Sequence, residues 1–278
     1  GSFPTVPVVL DRDFLAEAKE LLAEAAKKAN TPMHRRNVDW FGQSVFMLEH
    51  FHNMLDAMHE ADYVAAHEHY ETMMAHWQRY MDANSNLVSR YGHRYVDRWY
   101  YKPFLDMARK YATGDYRLLH QLPEELPTKF DPENAGQLMG LYEPEMFDDK
   151  LMTTNTYRTT WDAQGLGPYR DGGVWYYDRF TVEEPADGEG VGLVVGGVED
   201  TVHVWVNGQY VGMGRGYSRS FAFDLTAETR PGKENTLALQ VIRRNPINEA
   251  GLGGIIKPCF IFTGCCASDG IGHFLFGH

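Results

Sequence analysis

From Asp11 to about Tyr111 apolar residues recur every three or four positions, the interval that gathers them on one side of a helix. Phe14, Ala18, Leu21 and Ala25 form the first stripe, with Asp11 or Asp13 placed to cap its start and Asn30 and Pro32 to close it. The same spacing predicts a second helix over 38–58 and a third carrying Tyr63, Ala66, Tyr70, Met73, Trp77 and Tyr80 on one row. A fourth, shorter one is predicted over 99–111. Short connections make antiparallel neighbours the expectation, in a helical bundle or part of one.

Between residues 113 and 150 the pattern breaks, because Pro123, Pro127, Pro132 and Pro144 fall among acidic residues. This predicts a linker that wraps along a surface. Beyond it the period changes to two. Strands are expected over 152–160, 174–182, 191–198, 201–206, 209–213, 219–225, 235–244 and 254–262, with Asp187-Gly188, Asn207-Gly208 and Pro231-Gly232 among the turns. Many short strands with such punctuation predict a β-sandwich or jelly roll. The fold class expected is therefore α + β and multidomain: an N-terminal helical bundle followed by a C-terminal antiparallel β-sandwich. The boundaries are 1–112 for the helices, 113–150 for the linker, 151–263 for the sandwich and 264–278 for a tail that lacks strand alternation. No alternation of strands and helices supports a (β/α)₈ barrel or a nucleotide-binding sheet.

The run VHVWVNGQYVG, Val202 to Gly212, is the most legible element. Three valines alternate with His203 and Trp205, and Asn207-Gly208 supplies the pair that a type I′ turn needs. The valines are expected to face the core. His203 and Trp205 then lie on the outer face, expected to be covered by the helices or the linker.

Charge narrows the partners. A formal net charge of −12 and a pI near 5.4 oppose binding to nucleic acid or to an anionic membrane surface, and no run of 18 apolar residues predicts a membrane span. Three cysteines, Cys259, Cys265 and Cys266, make neither a disulfide framework nor a CxxC pair. The start, GSFPTVPVV, has no charged or apolar leader, and its Gly-Ser resembles the remnant of an expression tag, so the chain is expected to be an excised piece.

Nine of the twelve histidines lie between His34 and His120. His52, Asp56 and His59 share one helical face, and His67 with Glu71 is another i, i+4 pair. That arrangement suits a metal, but apolar neighbours on the same row place these histidines at the margin of a core, no HExxH occurs, and no metal is assigned. Glu143 and Glu145 could form a carboxylate pair, yet they sit in an acidic, Pro-rich stretch, so they are not taken as catalytic. No GxSxG or phosphate-cradling glycine loop is present.

Five stretches in order carry a resemblance: DGGVWYYDRFTV (171–182), VEDTVHVWVNGQYVG (198–212), GYSRSFAFDLT (216–226), PGKENTLALQVIRR (231–244) and GLGGIIKPCFIF (251–262). Over about 151–262 the chain resembles the sugar-binding domain of glycoside hydrolase family 2, a jelly roll of the galactose-binding type. The departure is that helices precede the domain here and no catalytic barrel is present in this sequence. The resemblance implies a non-catalytic carbohydrate-binding or substrate-positioning module of a polysaccharide-degrading, secreted or periplasmic enzyme. Its partners would be an oligo- or polysaccharide and the parent enzyme's catalytic domain. A structural scaffold, or a fragment of an active site, are the alternatives.

Sugar sites on such domains use aromatic faces and polar side chains on loops. The loops 165–173, 214–219 and 245–251 supply the candidates Tyr169, Arg170, Asp171, Arg215, Tyr217, Arg219, Asn245, Asn248 and Glu249. The resemblance ranks 245–251 first. Trp161 and Trp205 are expected to be buried rather than binding platforms. No cofactor is expected; calcium on Asp171, Asp187, Glu189 or Asp200 is an option that their spacing does not specify.

Overall fold

The computed structural model describes residues 6–83, 101–114, 116–148, 151–156, 164–165, 172–198, 200–216, 218–243 and 254–265. It divides into two compact units, one over residues 6–109 and one from residue 110 onward.

The helical unit runs through α1 (Val6–Val9), α2 (Arg12–Lys28), α3 (Pro32–His59), α4 (Tyr63–Ala83) and α5 (Lys102–Thr113). Asp11, not Asp13, caps α2, its carboxylate accepting from Phe14 N at 2.8 Å. Pro32 does not close that helix. It occupies the first turn of α3, where its missing N–H costs nothing, and Thr31 caps the helix by accepting from His34 N at 3.1 Å. That is why α3 begins ahead of the expected Val38. Its buried residues, Phe51, His52, Met54, Leu55, Ala57 and Met58, all lie in its C-terminal half. There they join Tyr63, Ala66 and Tyr70 of α4 and Phe104 and Leu105 of α5 among the buried residues of the unit. No described helix is long and apolar enough to cross a membrane.

The second unit contains two antiparallel sheets. One has the order β1-β10-β5-β8 and the other β3-β2-β4-β9-β6-β7. The strands are β1 (Tyr116–Gln121), β2 (Glu125–Asp131), β3 (Met152–Asn155), β4 (Gly172–Thr181), β5 (Glu189–Val198), β6 (Thr201–Val206), β7 (Gln209–Arg215), β8 (Phe221–Asp224), β9 (Glu234–Arg243) and β10 (Ile255–Cys265). One core lies between the sheets. Val174 and Tyr176 of β4, Val202, Val204 and Val206 of β6 and Leu239 of β9 meet Leu193 and Val195 of β5 and Ile261 of β10. Alternation sends the intervening residues outward, as a half-buried sheet requires.

Two expectations are corrected here. Residues 113–150 are not simply a linker, since they contain β1 and β2, and β2 lies between β3 and β4. Pro127 is tolerated there because β2 pairs with β4 only from Thr128 onward, so on that side the proline withholds no ladder hydrogen bond. The tail expected from residue 264 also starts too early, because Gly264 and Cys265 of β10 pair with Gly190 and Glu189 of β5.

The outer face of the six-stranded sheet is covered by residues from 141–148 and by Leu151. Trp175, Tyr177, Trp205 and Ala238 pack with Leu141, Tyr142, Met146, Phe147 and Leu151. Tyr142 lies parallel to Trp205, at 7° and 5.5 Å between ring centres. Trp205 is accordingly only 4% exposed.

Candidate functional site

Strand register brings the ends of the three candidate loops together. Gly172, where the first loop enters β4, pairs with Arg243, where β9 leaves for the third. Ile242 pairs with Thr201, and Thr201 with Arg215, where β7 enters the second loop. The strands concerned are consecutive in the sheet, β4-β9-β6-β7, so their ends span about 14 Å at the ordinary strand spacing. Tyr169, Arg170, Asp171, Tyr217, Asn245, Asn248 and Glu249, with Trp161, lie outside the described residues.

Arg215 and Arg219 are described, and both are exposed. The loop that carries them is held from below. Gly216 N donates to Asp200 O at 2.6 Å, Ser218 N to Val198 O at 3.0 Å, and Ser220 Oγ to Gly196 O at 2.7 Å. Ser218 sits at φ 58°, an uncommon conformation for a side-chain-bearing residue, and its carbonyl accepts from Lys257 Nζ at 2.6 Å. Burial of that lysine, 1% exposed, lowers its pKa to about 7. Gly214 is required beside Phe221: a Cβ there would come within 2.5 Å of the ring. The two guanidinium groups are thus mounted on a braced loop.

A second feature at this end was not foreseen from the sequence. The turn after β2 is built on Asp131, whose carboxylate accepts from Ala135 N (2.9 Å), Gly136 N (2.7 Å) and Trp175 Nε1 (3.1 Å). Gln240, fully buried in β9, donates to Asn134 Oδ1 at 2.8 Å and accepts from Gln137 Nε2 at 2.6 Å. Since Asp131 pairs with Gly173, the exposed Asn134 and Gln137 stand beside the mouth of the first loop. Amides fixed in this way suit hydroxyl recognition. The available signal was Gln240 itself, an amide within the apolar run Leu237 to Ile242 of β9, but its partners are 103 and 106 residues away.

Other polar groups are committed elsewhere. His52 Nε2 lies 2.7 Å from Leu10 O, and His67 Nε2 lies 3.0 Å from Asp106 Oδ1. Glu189 accepts from Thr263 Oγ1 at 3.3 Å. Among the described residues no group of three or more His, Cys, Asp or Glu is placed to hold a metal ion. Glu143 precedes a short 3₁₀ turn, Pro144–Met146, without a side-chain capping bond, and lies against Gly208. A cleft of about 190 Å³ lies further along β4, lined by Leu126, Phe147, Tyr177, Asp178 and Arg179 among others. It is some 20 Å from the loop ends by strand rise, and its size is below the roughly 300–1,000 Å³ of pockets for drug-sized ligands. Asp178 there is paired with His120 at 2.7 Å, and Arg179 with Glu234 at 2.8 Å.

Residues 128–250, which lie within the β unit, match the family described as "Glycosyl hydrolases family 2, sugar binding domain". The match begins inside β2, ahead of the expected boundary at 151. Among full-length relatives, a beta-galactosidase from Vibrio cholerae is 27% identical over 155 residues, covering 49% of this chain and 14% of the relative. A beta-galactosidase from Enterobacter cloacae is 28% identical over 127 residues, covering 44% and 12%. The chain therefore spans about one seventh or less of the length of these relatives. Among solved structures, a Ruminococcus gnavus beta-glucuronidase bound to D-glucaro-d-lactam is 16% identical, covering 55% of this chain and 30% of its own with a TM-score of 0.43. An uncultured Clostridium sp. beta-glucuronidase is 18% identical, covering 54% and 29% with a TM-score of 0.44.

Proposed function

We propose that the β unit is a non-catalytic carbohydrate-binding or substrate-positioning module of a polysaccharide-degrading glycoside hydrolase, and that the helices form a bundle set ahead of a galactose-binding-like jelly roll. The observation that carries this reading is the arrival of three loops at neighbouring strand ends of one sheet, flanked by Asn134 and Gln137 and by Arg215 and Arg219. Such a rim offers hydrogen-bond donors and acceptors on rigid supports, which is what a shallow sugar site requires. Tyr169, Tyr217, Asn245, Asn248 and Glu249 would complete it from the loops.

Affinity electrophoresis of the intact chain against a glycan panel tests the proposal. The panel should hold β-galactosides, in view of the relatives' names, and uronic-acid polymers, because two guanidinium groups stand at the rim. Retardation by one panel member, reduced at least tenfold by Arg219→Ala or Asn134→Ala, is the expected result. Absence of retardation across the panel would leave the scaffold reading in its place.

A further inference from the structure

The helical unit carries a groove of about 610 Å³ between α2 and α3 that the sugar-binding reading does not use. Phe14, Leu21, Val38, Phe41, Val45 and Leu48 line it. Three of these are largely open to solvent, with Phe14 45%, Leu21 60% and Phe41 65% exposed. Together they make one apolar strip along two adjacent helices.

The two rims differ in charge. Leu15 is buried, Lys19 is ion-paired with Glu49, and Leu22 lies against Gly42, so the row one position after the groove stripe of α2 faces α3. The row one position before it, Asp13, Glu17, Glu20 and Glu24, therefore borders the groove on the side away from α3, and all four residues are exposed. Arg12 is tied to Asp56, so the cations of α2 nearest the groove are drawn toward α3. On the α3 side the polar lining residues are the uncharged Asn37 and Ser44. Lys28 reaches Glu24 only at 3.8 Å, an exposed pair that offsets little of the acidic row.

We propose that this groove binds an amphipathic α-helix of another polypeptide, with an apolar stripe for the groove and Lys or Arg along the flank that meets α2. The shape is that of helix-in-groove recognition, read as anchors at i, i+3 or i+4, and i+7. The 17 residues of α2 give a floor about 25 Å long, matching a helix of some four turns. A second copy of this chain suits the groove less well, since antiparallel two-fold pairing of the grooves would bring the acidic rows together and parallel pairing would leave each row facing an uncharged flank without a cation.

The test uses the intact chain and three fluorescein-labelled designed peptides of about 18 residues: a leucine stripe with a Lys flank, the same stripe with a Glu flank, and a scramble of the first. Fluorescence anisotropy should show saturable binding of the Lys-flanked peptide alone. Phe41→Asp should weaken it at least tenfold, and Phe41→Ser in parallel covers any loss of folding by the charged variant. Reversal of Glu17, Glu20 and Glu24 to Lys should transfer preference to the Glu-flanked peptide. Equal binding of the scramble, indifference to both Phe41 substitutions, or failure of every peptide to bind would overturn the proposal. So would a dimer in sedimentation that Phe41→Ser disperses, because the groove would then hold a second copy.

Discussion

The two units bury their apolar surface differently. In the β unit both sheets contribute to one core, and the outer face of the larger sheet is closed by residues from 141–148 and by Leu151. In the helical unit the C-terminal half of α3 is buried while its N-terminal half, with most of α2, is not. The sheets are closed largely by their own chain, whereas α2 and α3 leave an apolar strip open. A region built to be complete and a region built to be completed should respond differently to the same kinds of change.

The largest contrast should come from core truncation. Trp175→Ala removes a fully buried ring and leaves the Asp131 carboxylate one donor short, so a loss of about 3–5 kcal/mol is expected in denaturant unfolding. Hydrogen exchange should report that loss in β4 and β9 while α2 exchanges as before. A cost below 1 kcal/mol would show that the cover of the outer face contributes little.

Lys257 should give the next largest effect, with opposite sign. Its folded pKa of about 7 lies below the ordinary lysine value of 10.5, so between these limits the unfolded chain holds more protons than the folded one. Stability of the β unit should rise as pH increases from 7 toward 10. Lys257→Met should add a few kcal/mol at pH 7 and flatten that rise, as followed by thermal unfolding. Destabilisation at pH 7 would mean that its bond to the Ser218 carbonyl outweighs the cost of burial.

In the helical unit acid is the sensitive direction. Burial lowers the pKa of both His50 and His76, with His69 adding to the effect at His50 and Arg79 at His76. Groups depressed in the folded state contribute stability that is complete above the ordinary value of 6.5 and is lost as pH falls through the folded pKa. Exchange in α3 and α4 should therefore accelerate as pH drops below 6.5, after correction for intrinsic rates. His76→Phe, which keeps a ring beside Phe46, should blunt the response. The β unit should show no matching change at β4 and β9.

The smallest effect should be at the groove. Phe41→Ser should move unfolding stability by no more than about 0.5 kcal/mol, because the ring is already mostly in water. A loss of 2 kcal/mol would show that Phe41 is a core residue and remove the contrast between the units.

Legibility in the sequence followed the range of the interactions. The hairpin at Asn207-Gly208 was readable because its signal is local, and both residues take positive φ, 52° and 78°. The sequence did not show that Asn207 is also a clamp, with its amide donating to Glu228 O and Asn235 Oδ1 at 2.8 Å each. β1 and β2 were hidden by Pro123 and Pro127, whose ordinary meaning is a break; only the offset pairing of β2 makes Pro127 harmless. At the candidate site the braced arginines could be named from a loop pattern. Asn134 and Gln137 could not, since they matter through Gln240, which is remote in sequence and adjacent only after the sheet has formed.

The parallel contact of Tyr142 with Trp205 has a consequence for synthesis on the ribosome. The covering segment emerges before β4, β6 and β9, so it waits through more than half of the β unit for the surface it will close. Until β9 has been made and inserted, Trp175 and Trp205 lack their final setting. A nascent chain halted after β6 should therefore expose both rings to chaperones, and release from them should come only once Leu237 to Ile242 have left the tunnel.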